Sequence, residues 1–372
     1  MPAALVLFCA NLGLTRPSEN SLRRHVCSKL CLGPSPRLHS ATRNSCLLRM
    51  TMVWLGANPY PFPWSFPGLV GNSRLNLSSF LSGKSNILKQ STSMSKLDEI
   101  LAATRLRLVH TKEQANLRAL EQAAAAHTPR GFRKRLVAMS QLGPAVIGEL
   151  KKASPSKGVI RGTFPVGILA NQLARSGASA LSVLTDESFF QGSLANLLEA
   201  SAATDLPCLR KDFIVDEFQI LEARAHHADA ILLILSVLDD GAFARLLDYA
   251  RGLDLDVLCE VHNMDELRRA LEGGADIVGV NSRDLTTFHV SLDTAVELAS
   301  SIPNHVLRVA ESGIDSGSEI RELHAAGYQA FLIGEALMRA EDPGKKLQQL
   351  LQDAGWYSES PSATAHWRGT VQ

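Results

Sequence analysis

The stretch AVIGELKKASPSKG, residues 145–158, decides the fold of this chain. Its first six residues are apolar except for Glu149, and they lack the strict alternation of a strand with one solvated face. Lys151, Ser154 and Ser156 then follow at the point where such a strand would end. Strands buried on both faces are typical of parallel sheets covered by helices. The stretch therefore predicts the first strand of an α/β protein, with polar groups at the carboxyl edge of its sheet.

The same unit, a short apolar run followed by a longer amphipathic one, occurs eight times in the chain. The predicted strands are residues 145–150, 180–184, 207–211, 230–235, 257–261, 277–280, 306–310 and 330–333. Helical periodicity fills the intervals, for example at residues 165–175, 216–227, 239–251 and 263–272. Eight strands that are each followed by a helix predict a single (β/α)8 TIM barrel, a fold that usually takes about 250 residues. We assign residues 94–355 to this domain.

An N-terminal helical extension is predicted before the first strand. Ser95 is followed by Asp98 and Glu99, which is the acid-rich first turn of a helix. The helical pattern then continues to the alanine cluster before His127. A break at residues 129–131 precedes a short basic helix that runs through Met139.

Residues 1–93 differ in character from the rest of the chain. They contain ten Lys or Arg residues and one acidic residue, whereas residues 94–372 contain 28 basic and 36 acidic residues. Three interpretations are open: an organellar transit peptide, a disordered appendage, or upstream sequence translated because the start was placed before Met94. A helix begins directly after Met94, which favours the third. Cys27 and Cys31 lack a second ligand pair, so we expect no metal site there. Residues 356–372 are predicted to be a disordered tail.

The composition, 45% hydrophobic and 20% charged, is that of a globular protein that can bury a large core. Basic residues of the barrel alternate with acidic ones, so we expect no nucleic-acid partner. We also expect no membrane association, because no apolar run has membrane-spanning length.

Cys208 and Cys259 lie in apolar runs and are predicted to be buried. His226 and His227 are interpreted as a solvated helix end, and His262 as a surface or supporting residue.

Ionisable residues mark the ends of the predicted strands. In a (β/α)8 barrel, catalytic groups project from the carboxyl ends of the strands. Glu149 and Lys151 are two residues apart and therefore share one face, where a structural ion pair is the alternative to a catalytic one. Lys211 ends the third strand, Glu260 the fifth, and Glu311 follows the seventh. Two lysines and three carboxylates at one mouth indicate general acid–base chemistry on a small polar substrate.

Glycines after the last two strands indicate a phosphate site. Gly313 and Gly334 lie in the two loops that commonly bind phosphate in this fold, where backbone N–H groups approach the anion closely. The neighbouring Glu335 is expected to turn its side chain away from the anion. Phe190 and Phe213, in loops above the barrel, are candidates for an apolar wall against an aromatic ring.

Six motifs together resemble the indole-3-glycerol-phosphate synthase family in order and spacing, over roughly residues 95–355. They are Glu149-x-Lys151-x-x-Ser154-Pro-Ser156, Ser182-Val-Leu-Thr185, Lys211-Asp-Phe213-Ile, Glu260-Val-His262, Asn281-Ser-Arg283-Asp-Leu and Glu311-Ser312-Gly313-Ile. The resemblance implies a carboxy-lyase of tryptophan biosynthesis. Its substrate would be 1-(2-carboxyphenylamino)-1-deoxyribulose 5-phosphate, and its products indole-3-glycerol phosphate, carbon dioxide and water. Loss of the carboxylate restores the aromatic ring, so we expect no cofactor and no metal.

The resemblance also implies residue roles. Lys211 would act as general acid on the ketone oxygen, Lys151 would bind the anthranilate carboxylate or supply a proton, and Glu260 would serve the dehydration. Glu149 and Asn281 would orient groups around them. The remaining implied substrate-binding or supporting residues are Ser154, Phe190, Phe213, Arg283, Glu311, Ser312, Gly313 and Gly334.

Three alternatives to this function remain at this point. Phosphoribosylanthranilate isomerase would need a Cys/Asp pair at strand ends, where this chain has Lys and Glu. A Schiff-base aldolase would use Lys211 as a nucleophile. A non-catalytic phosphate-binding barrel would tolerate loss of the charges at the mouth.

The expected partner is a small-molecule substrate, and we expect a monomer with at most weak association with other enzymes of the tryptophan pathway. The expected compartment is the cytoplasm, or an organelle if residues 1–93 are a transit peptide.

Overall fold

Eight parallel strands close into a barrel, which confirms the predicted fold class. The structure is a computed structural model that describes residues 95–285 and 287–356. Its barrel strands are β1 (Ala145–Leu150), β2 (Ala178–Leu184), β3 (Cys208–Lys211), β4 (Ala230–Ile234), β5 (Asp256–Val261), β6 (Ile277–Asn281), β7 (Leu307–Glu311) and β8 (Ala330–Ile333). Each strand pairs in parallel with the next along the chain, and β1 pairs with β8 through Ala145 opposite Ala330. A short antiparallel hairpin, Ala153–Ser154 with Gly158–Val159, lies in the loop after β1.

Thirteen helices accompany the strands in the described part of the chain. They are α1 (Lys96–Gln114), α2 (Leu117–Ala126), α3 (Phe132–Ser140), α4 (Val166–Arg175), α5 (Glu187–Phe190), α6 (Leu194–Ala203), α7 (Glu217–Ala225), α8 (Asp240–Gly252), α9 (Met264–Glu272), α10 (Asp293–Ala299), α11 (Gly317–Ala325), α12 (Glu335–Arg339) and α13 (Pro343–Asp353). No described helix combines the length and the apolar character needed to cross a lipid bilayer.

Alternation along the strands separates two hydrophobic layers. The outer layer packs strand residues such as Val146 and Leu181 against the surrounding helices. The inner layer fills the barrel with Ile147, Leu209 and their counterparts on the other strands. Side chains alternate between the two faces of a strand. The residue two positions after each of these inner apolar residues therefore also faces the barrel interior, at the end of its strand. This places the ionisable residues at the carboxyl mouth.

Helices of the N-terminal extension close both ends of the inner layer. Phe132, Leu136 and Met139 of α3 pack against the first residues of the strands, and the Arg133 amide donates to Asp256 at the start of β5. At the opposite end, Leu97 and Ile100 of α1 border the mouth of the barrel. The floor of the barrel is therefore apolar, and one helix partly covers the mouth.

The helical extension differs from the prediction in one respect. The pattern predicted one continuous helix from Ser95 to the residues before His127, but α1 ends at Gln114 and α2 begins at Leu117. Ala115 has an extended backbone, and the Asn116 side chain accepts a hydrogen bond from the amide of Ala119. Asparagine is a favourable N-cap because its side chain satisfies an amide that the helix leaves unpaired. The break is therefore encoded by a residue that was taken as helix interior.

Two smaller predictions had different outcomes. Cys208 and Cys259 are buried free thiols, as expected. The His226–His227 pair was expected to be solvated, but both residues are half-buried, and the His227 ring stacks on that of His127 with 4.8 Å between ring centroids. The interpretations of residues 1–93 lie outside the described residues, as do the tail residues 357–372.

Candidate active site

A cavity of about 620 Å³ lies at the carboxyl end of the barrel. All thirteen predicted site residues border it. They are Glu149, Lys151, Ser154, Phe190, Lys211, Phe213, Glu260, Asn281, Arg283, Glu311, Ser312, Gly313 and Gly334. They come from seven of the eight strands or the loops that follow them, so closure of the barrel brings together residues that are far apart in the sequence.

Lys211 lies among carboxyl groups at the centre of this cavity. Its Nζ is 2.9 Å from Oε2 of Glu260 and 3.6 Å from Oε2 of Glu311. Burial alone would lower the pKa of Lys211, but the charges of Glu260, Glu311 and Glu149 outweigh burial and raise this pKa above its usual value. Lys211 is therefore an ammonium ion at neutral pH, able to donate a proton to a bound substrate.

Glu260 is held by donors on both of its oxygens. Lys211 occupies Oε2, and Nδ2 of Asn281 donates to Oε1 at 3.0 Å. Burial would raise the pKa of Glu260, but Lys211, His262 and the Asn281 hydrogen bond lower it below the usual range. The carboxylate is thus ionised and fixed in orientation, although its side chain is almost completely buried.

Glu149 and Lys151 form the ion pair expected from their spacing. The Nζ of Lys151 donates to Oε2 of Glu149 at 2.5 Å. Gly334, at the end of β8, packs directly against this pair, because a Cβ on Gly334 would overlap Oε2 of Glu149. The glycine at this position therefore allows β1 and the loop after β8 to approach each other at the mouth.

Glu311 is the carboxyl group with the fewest partners. Its Oε1 is buried and makes no hydrogen bond. Burial and the neighbouring Glu260 raise the pKa of Glu311 to about 8. Gly279 leaves the space for it, because a Cβ on Gly279 would overlap Oε1 of Glu311. Glu311 therefore holds a proton more readily than an ordinary glutamate does, beside an ionised Glu260.

The loops after β7 and β8 have the backbone geometry of an anion site. Ser312 and Gly313 both have positive φ angles, 64° and 73°. A residue other than glycine in this conformation stores strain, which is often found at functional sites. In the loop after β1, which pairs with β8, the buried Oγ of Ser154 makes no hydrogen bond. These loops thus offer close backbone approach and an available hydroxyl group.

Glu335 does not turn away from the cavity, contrary to expectation. It borders the cavity, and its Oε2 lies 3.7 Å from a guanidinium nitrogen of Arg283. Its Oε1 accepts from Arg339 at 3.0 Å. Two arginines compensate its charge, which explains how a carboxylate is accommodated beside the proposed phosphate loops.

An apolar wall faces the ionisable groups. The rings of Phe190 and Phe213 are tilted against each other with 6.3 Å between centroids. Leu97 and Ile100 of α1 extend this wall, and sequence reasoning missed their contribution. Their helical spacing was recognised, but the periodicity does not show which surface the helix covers.

Sequence reasoning also missed the ion pairs that attach α1 to the barrel. A guanidinium nitrogen of Arg107 lies 3.0 Å from Asp186, which follows β2, and the other lies 3.7 Å from Asp212, which follows Lys211. Both aspartates are buried. The sequence signal was available, since two acidic residues directly follow strand ends, but nothing in it identifies Arg107 as the partner.

Comparisons with known proteins show which family this chain resembles. A family model described as indole-3-glycerol phosphate synthase matches residues 97–350. A protein of that name from Koribacter versatilis is 54% identical over 257 residues, which cover 69% of this chain and 99% of the relative. A second, from Burkholderia multivorans, is 48% identical over 255 residues, covering 68% of this chain and 98% of the relative. A solved thiamine phosphate pyrophosphorylase from Pyrococcus furiosus matches with a TM-score of 0.45 and 19% identity, over 58% of this chain and 98% of that one.

Proposed function

The chain belongs to the indole-3-glycerol phosphate synthase family, and we propose that the residues around the barrel mouth carry out the reaction of that family. The enzyme is a carboxy-lyase of tryptophan biosynthesis. It converts 1-(2-carboxyphenylamino)-1-deoxyribulose 5-phosphate into indole-3-glycerol phosphate, carbon dioxide and water. The roles of individual residues, given below, are our proposal.

Lys211 is the general acid of ring closure. As the aromatic carbon bonds to the ketone carbon, negative charge develops on the ketone oxygen. A positioned ammonium ion stabilises that charge and transfers a proton to it. The contacts of Lys211 with Glu260 and Glu311 support this role, because they keep the group protonated and fix its direction.

Lys151 binds the carboxylate of the anthranilate moiety. It is tethered to Glu149 at 2.5 Å, yet its side chain remains partly accessible from the cavity. A second ammonium ion near the first would hold the carboxylate until carbon dioxide leaves. Lys151 is also close enough to the mouth to supply a proton, and we assign the principal acid role to Lys211 because three carboxyl groups surround it.

Glu260 serves the dehydration that completes the indole ring. In this step the C–O bond of the hydroxyl at the former ketone carbon breaks, the oxygen leaves as water with a proton supplied by Lys151, and Glu260 accepts a proton from the ring-closed intermediate. An ionised carboxylate that Asn281 holds in place suits proton abstraction. Glu149 orients Lys151 in the same way, through the ion pair on its own strand.

The phosphate and the aromatic ring bind at opposite sides of the charged centre. Backbone amides of Gly313 and Gly334, with the free hydroxyl of Ser154, bind the phosphate. Phe190 and Phe213 pack against the aromatic ring. The remaining contacts to the ribulose chain come from Arg283, Glu311 and Ser312. Binding energy from the two ends then holds the reacting carbons together.

The observation that carries this proposal is the ammonium of Lys211 between two carboxyl groups at the base of the cavity. The test is a fluorescence assay of the full chain with the carboxyphenylamino-deoxyribulose phosphate, which follows formation of indole-3-glycerol phosphate. Lys211→Ala should abolish most of the activity, whereas Lys345→Ala, an exposed lysine on α13, should not. An active Lys211→Ala enzyme would refute the assignment of Lys211, and a Lys211 adduct trapped by borohydride would favour the Schiff-base aldolase.

We propose further that the enzyme acts as a monomer in the cytoplasm. All thirteen predicted site residues border a cavity within one chain, which supports the monomer. Light scattering of the purified full chain would measure the oligomeric state, and cell fractionation would identify the compartment.

A further inference from the structure

His262 approaches the carboxylate oxygen of Glu260 that Lys211 does not contact. The Nε2 atom of His262 is 3.4 Å from Oε1 of Glu260, within ion-pair distance, but makes no aligned hydrogen bond. Its Nδ1 is 3.0 Å from Oε2 of Glu266, and the backbone amide of His262 donates to the same oxygen at 2.8 Å. The imidazole is therefore held between two carboxylates, one at the end of β5 and one on α9.

The carboxylates favour the charged form of the imidazole. Burial would lower the pKa of His262, but Glu260 and Glu266 raise it to about 10. Glu260 and Glu266 are the charged groups that act on His262, and Lys211 contacts the other oxygen of Glu260. His262 is consequently a cation at neutral pH, so each carboxylate oxygen of Glu260 has a cation near it.

We propose that His262 is a positioning residue whose positive charge makes Lys211 a stronger acid by sharing the carboxylate of Glu260. The inference rests on the acid role proposed above for Lys211. When Lys211 acts, one of its N–H bonds breaks, an O–H bond forms at the ketone oxygen, and Lys211 becomes a neutral amine. Without His262, this step would leave Glu260 as a buried carboxylate with no cation beside it, and a buried charge without a partner is costly.

The charge of Glu260 explains why such a residue is needed. Glu260 and its neighbours raise the pKa of Lys211, which keeps the proton on the nitrogen and opposes its transfer. A second cation near the other oxygen of Glu260 weakens the attraction between Glu260 and the Lys211 ammonium, and so makes transfer of the proton easier. His262 does not border the cavity, so it acts through Glu260 and does not touch the substrate.

The decisive measurement is the ratio of kcat in wild type to kcat in His262→Asn, followed from pH 6 to pH 10.5. We expect a ratio of 10 to 100 at pH 7, with KM changed less than threefold, and a fall of about fourfold in this ratio by pH 10.5, where roughly three quarters of His262 is neutral. Deprotonation of His262 in the wild type should have the same effect as removing it. Because both enzymes share all other titrating groups, the ratio isolates His262. A ratio that stays constant over this range would show a merely structural role and overturn the proposal.

Glu266→Gln provides a second test and covers the case in which His262→Asn does not fold. It keeps an acceptor for the imidazole and removes one of the two charges that keep it protonated. The fall in kcat of this variant should occur at lower pH than that of the wild type, and an unchanged profile would contradict the inference. Asp265→Asn, at an exposed neighbouring position, is the control and should behave as the wild type does.

An NMR titration of the histidine side chains separates this inference from the proposed function. It requires no turnover, and the His262 signal is identified by its loss in His262→Asn. A His262 imidazole that is charged at pH 8 in the full chain, and neutral at that pH in Glu260→Gln, supports the inference even if the Lys211→Ala assay contradicts the proposed acid. A neutral imidazole at pH 7 in the wild type would overturn the inference while leaving the proposed function intact.

Discussion

The ammonium group of Lys211 lies 2.9 Å from the carboxylate of Glu260, although β3 and β5, which carry them, are not adjacent in the barrel. The contact spans the interior of the barrel mouth, above the inner hydrophobic layer. A buried lysine that is surrounded by carboxyl groups depends on them both to stay protonated and to keep its side chain oriented. Changes to the carboxylates should therefore affect chemistry more than binding.

Glu260→Gln tests that dependence. The amide keeps the shape of the side chain and an acceptor for Asn281, but it removes the base and the charge. We expect kcat to fall by about 10²–10⁴-fold, the usual contribution of a positioned acid–base group, with KM changed much less. Steady-state kinetics at pH 7.5 measure both values. Glu272→Gln, on the exposed side of α9, is the matched control. A variant that retains most of its kcat would exclude Glu260 from the chemistry.

Glu311→Gln should change how stability depends on pH. The pKa of Glu311 is raised from 4.5 in the unfolded chain to about 8 in the fold. Below pH 4.5 both states are protonated, and the stability linked to this group is fully present. As pH rises towards 8, only the unfolded state ionises freely, so the wild type loses that stability.

The variant has no such group, so its stability relative to the wild type should increase between pH 5 and pH 8, by at least about 1 kcal/mol. Urea denaturation at both pH values measures this difference. Glu297→Gln, on the exposed side of α10, is the control. An equal stability difference at the two pH values would mean that Glu311 is ionised throughout.

Gly334→Ala should disrupt the mouth at the phosphate end. The added Cβ would overlap Oε2 of Glu149, which must move and loosen its contact with Lys151. We expect KM to rise at least tenfold and the free energy of unfolding to fall by about 1–3 kcal/mol, as is typical of overpacking. Gly252→Ala, where the new methyl group meets nothing within 4 Å, should change neither value appreciably. Wild-type KM in Gly334→Ala would show that the loop adapts at no cost.

Arg107→Gln should loosen the helix that partly covers the mouth. It removes the ion pairs of α1 with Asp186 and Asp212, and both aspartates remain buried without that partner. We expect KM to rise roughly three- to tenfold, an effect of about 1 kcal/mol, because Leu97 and Ile100 would no longer be held over the aromatic site. Arg105→Gln, an exposed position on the same helix, should leave KM unchanged. Equal KM values for the two variants would mean that the position of α1 over the mouth does not depend on Arg107.

The barrel could be predicted from the sequence because its strands are buried on both faces. Most of the strands are short runs rich in Val, Ile and Leu, and Gly177 and Gly327, whose φ angles are positive, come shortly before two of them. Predicted strand bounds differ from the observed ones by at most two residues, as for β2, which begins at Ala178 and was expected to begin at residue 180. The break at Asn116 was not predicted, because asparagine also occurs within helices and only the structure shows its side chain capping α2.

The part of the candidate site that lies at the strand ends could be predicted from the sequence. Inward-facing groups such as Lys211 and Glu311 follow from strand alternation, and the structure brings them together. Contacts that depend on how a helix is rotated about its own axis could not be predicted from the sequence. Arg107, Leu97 and the neighbours of His262 lie on helices or across element boundaries, where spacing alone leaves several partners open. The side chain of Glu335 was misjudged for the same reason, since its two arginine partners come from different segments.

Pairing of β1 with β8 has a consequence for biosynthesis of the protein. Glu149 and Gly334, which meet at that seam, are among the first and the last barrel residues to leave the ribosome. A nascent chain that has not yet released β8 leaves β1 with an open edge, and the pocket lacks one of its walls. Exposed strand edges invite pairing with other chains. The interval between synthesis of β1 and docking of β8 is thus the period in which this protein is most vulnerable to aggregation, and catalysis can begin only after it ends.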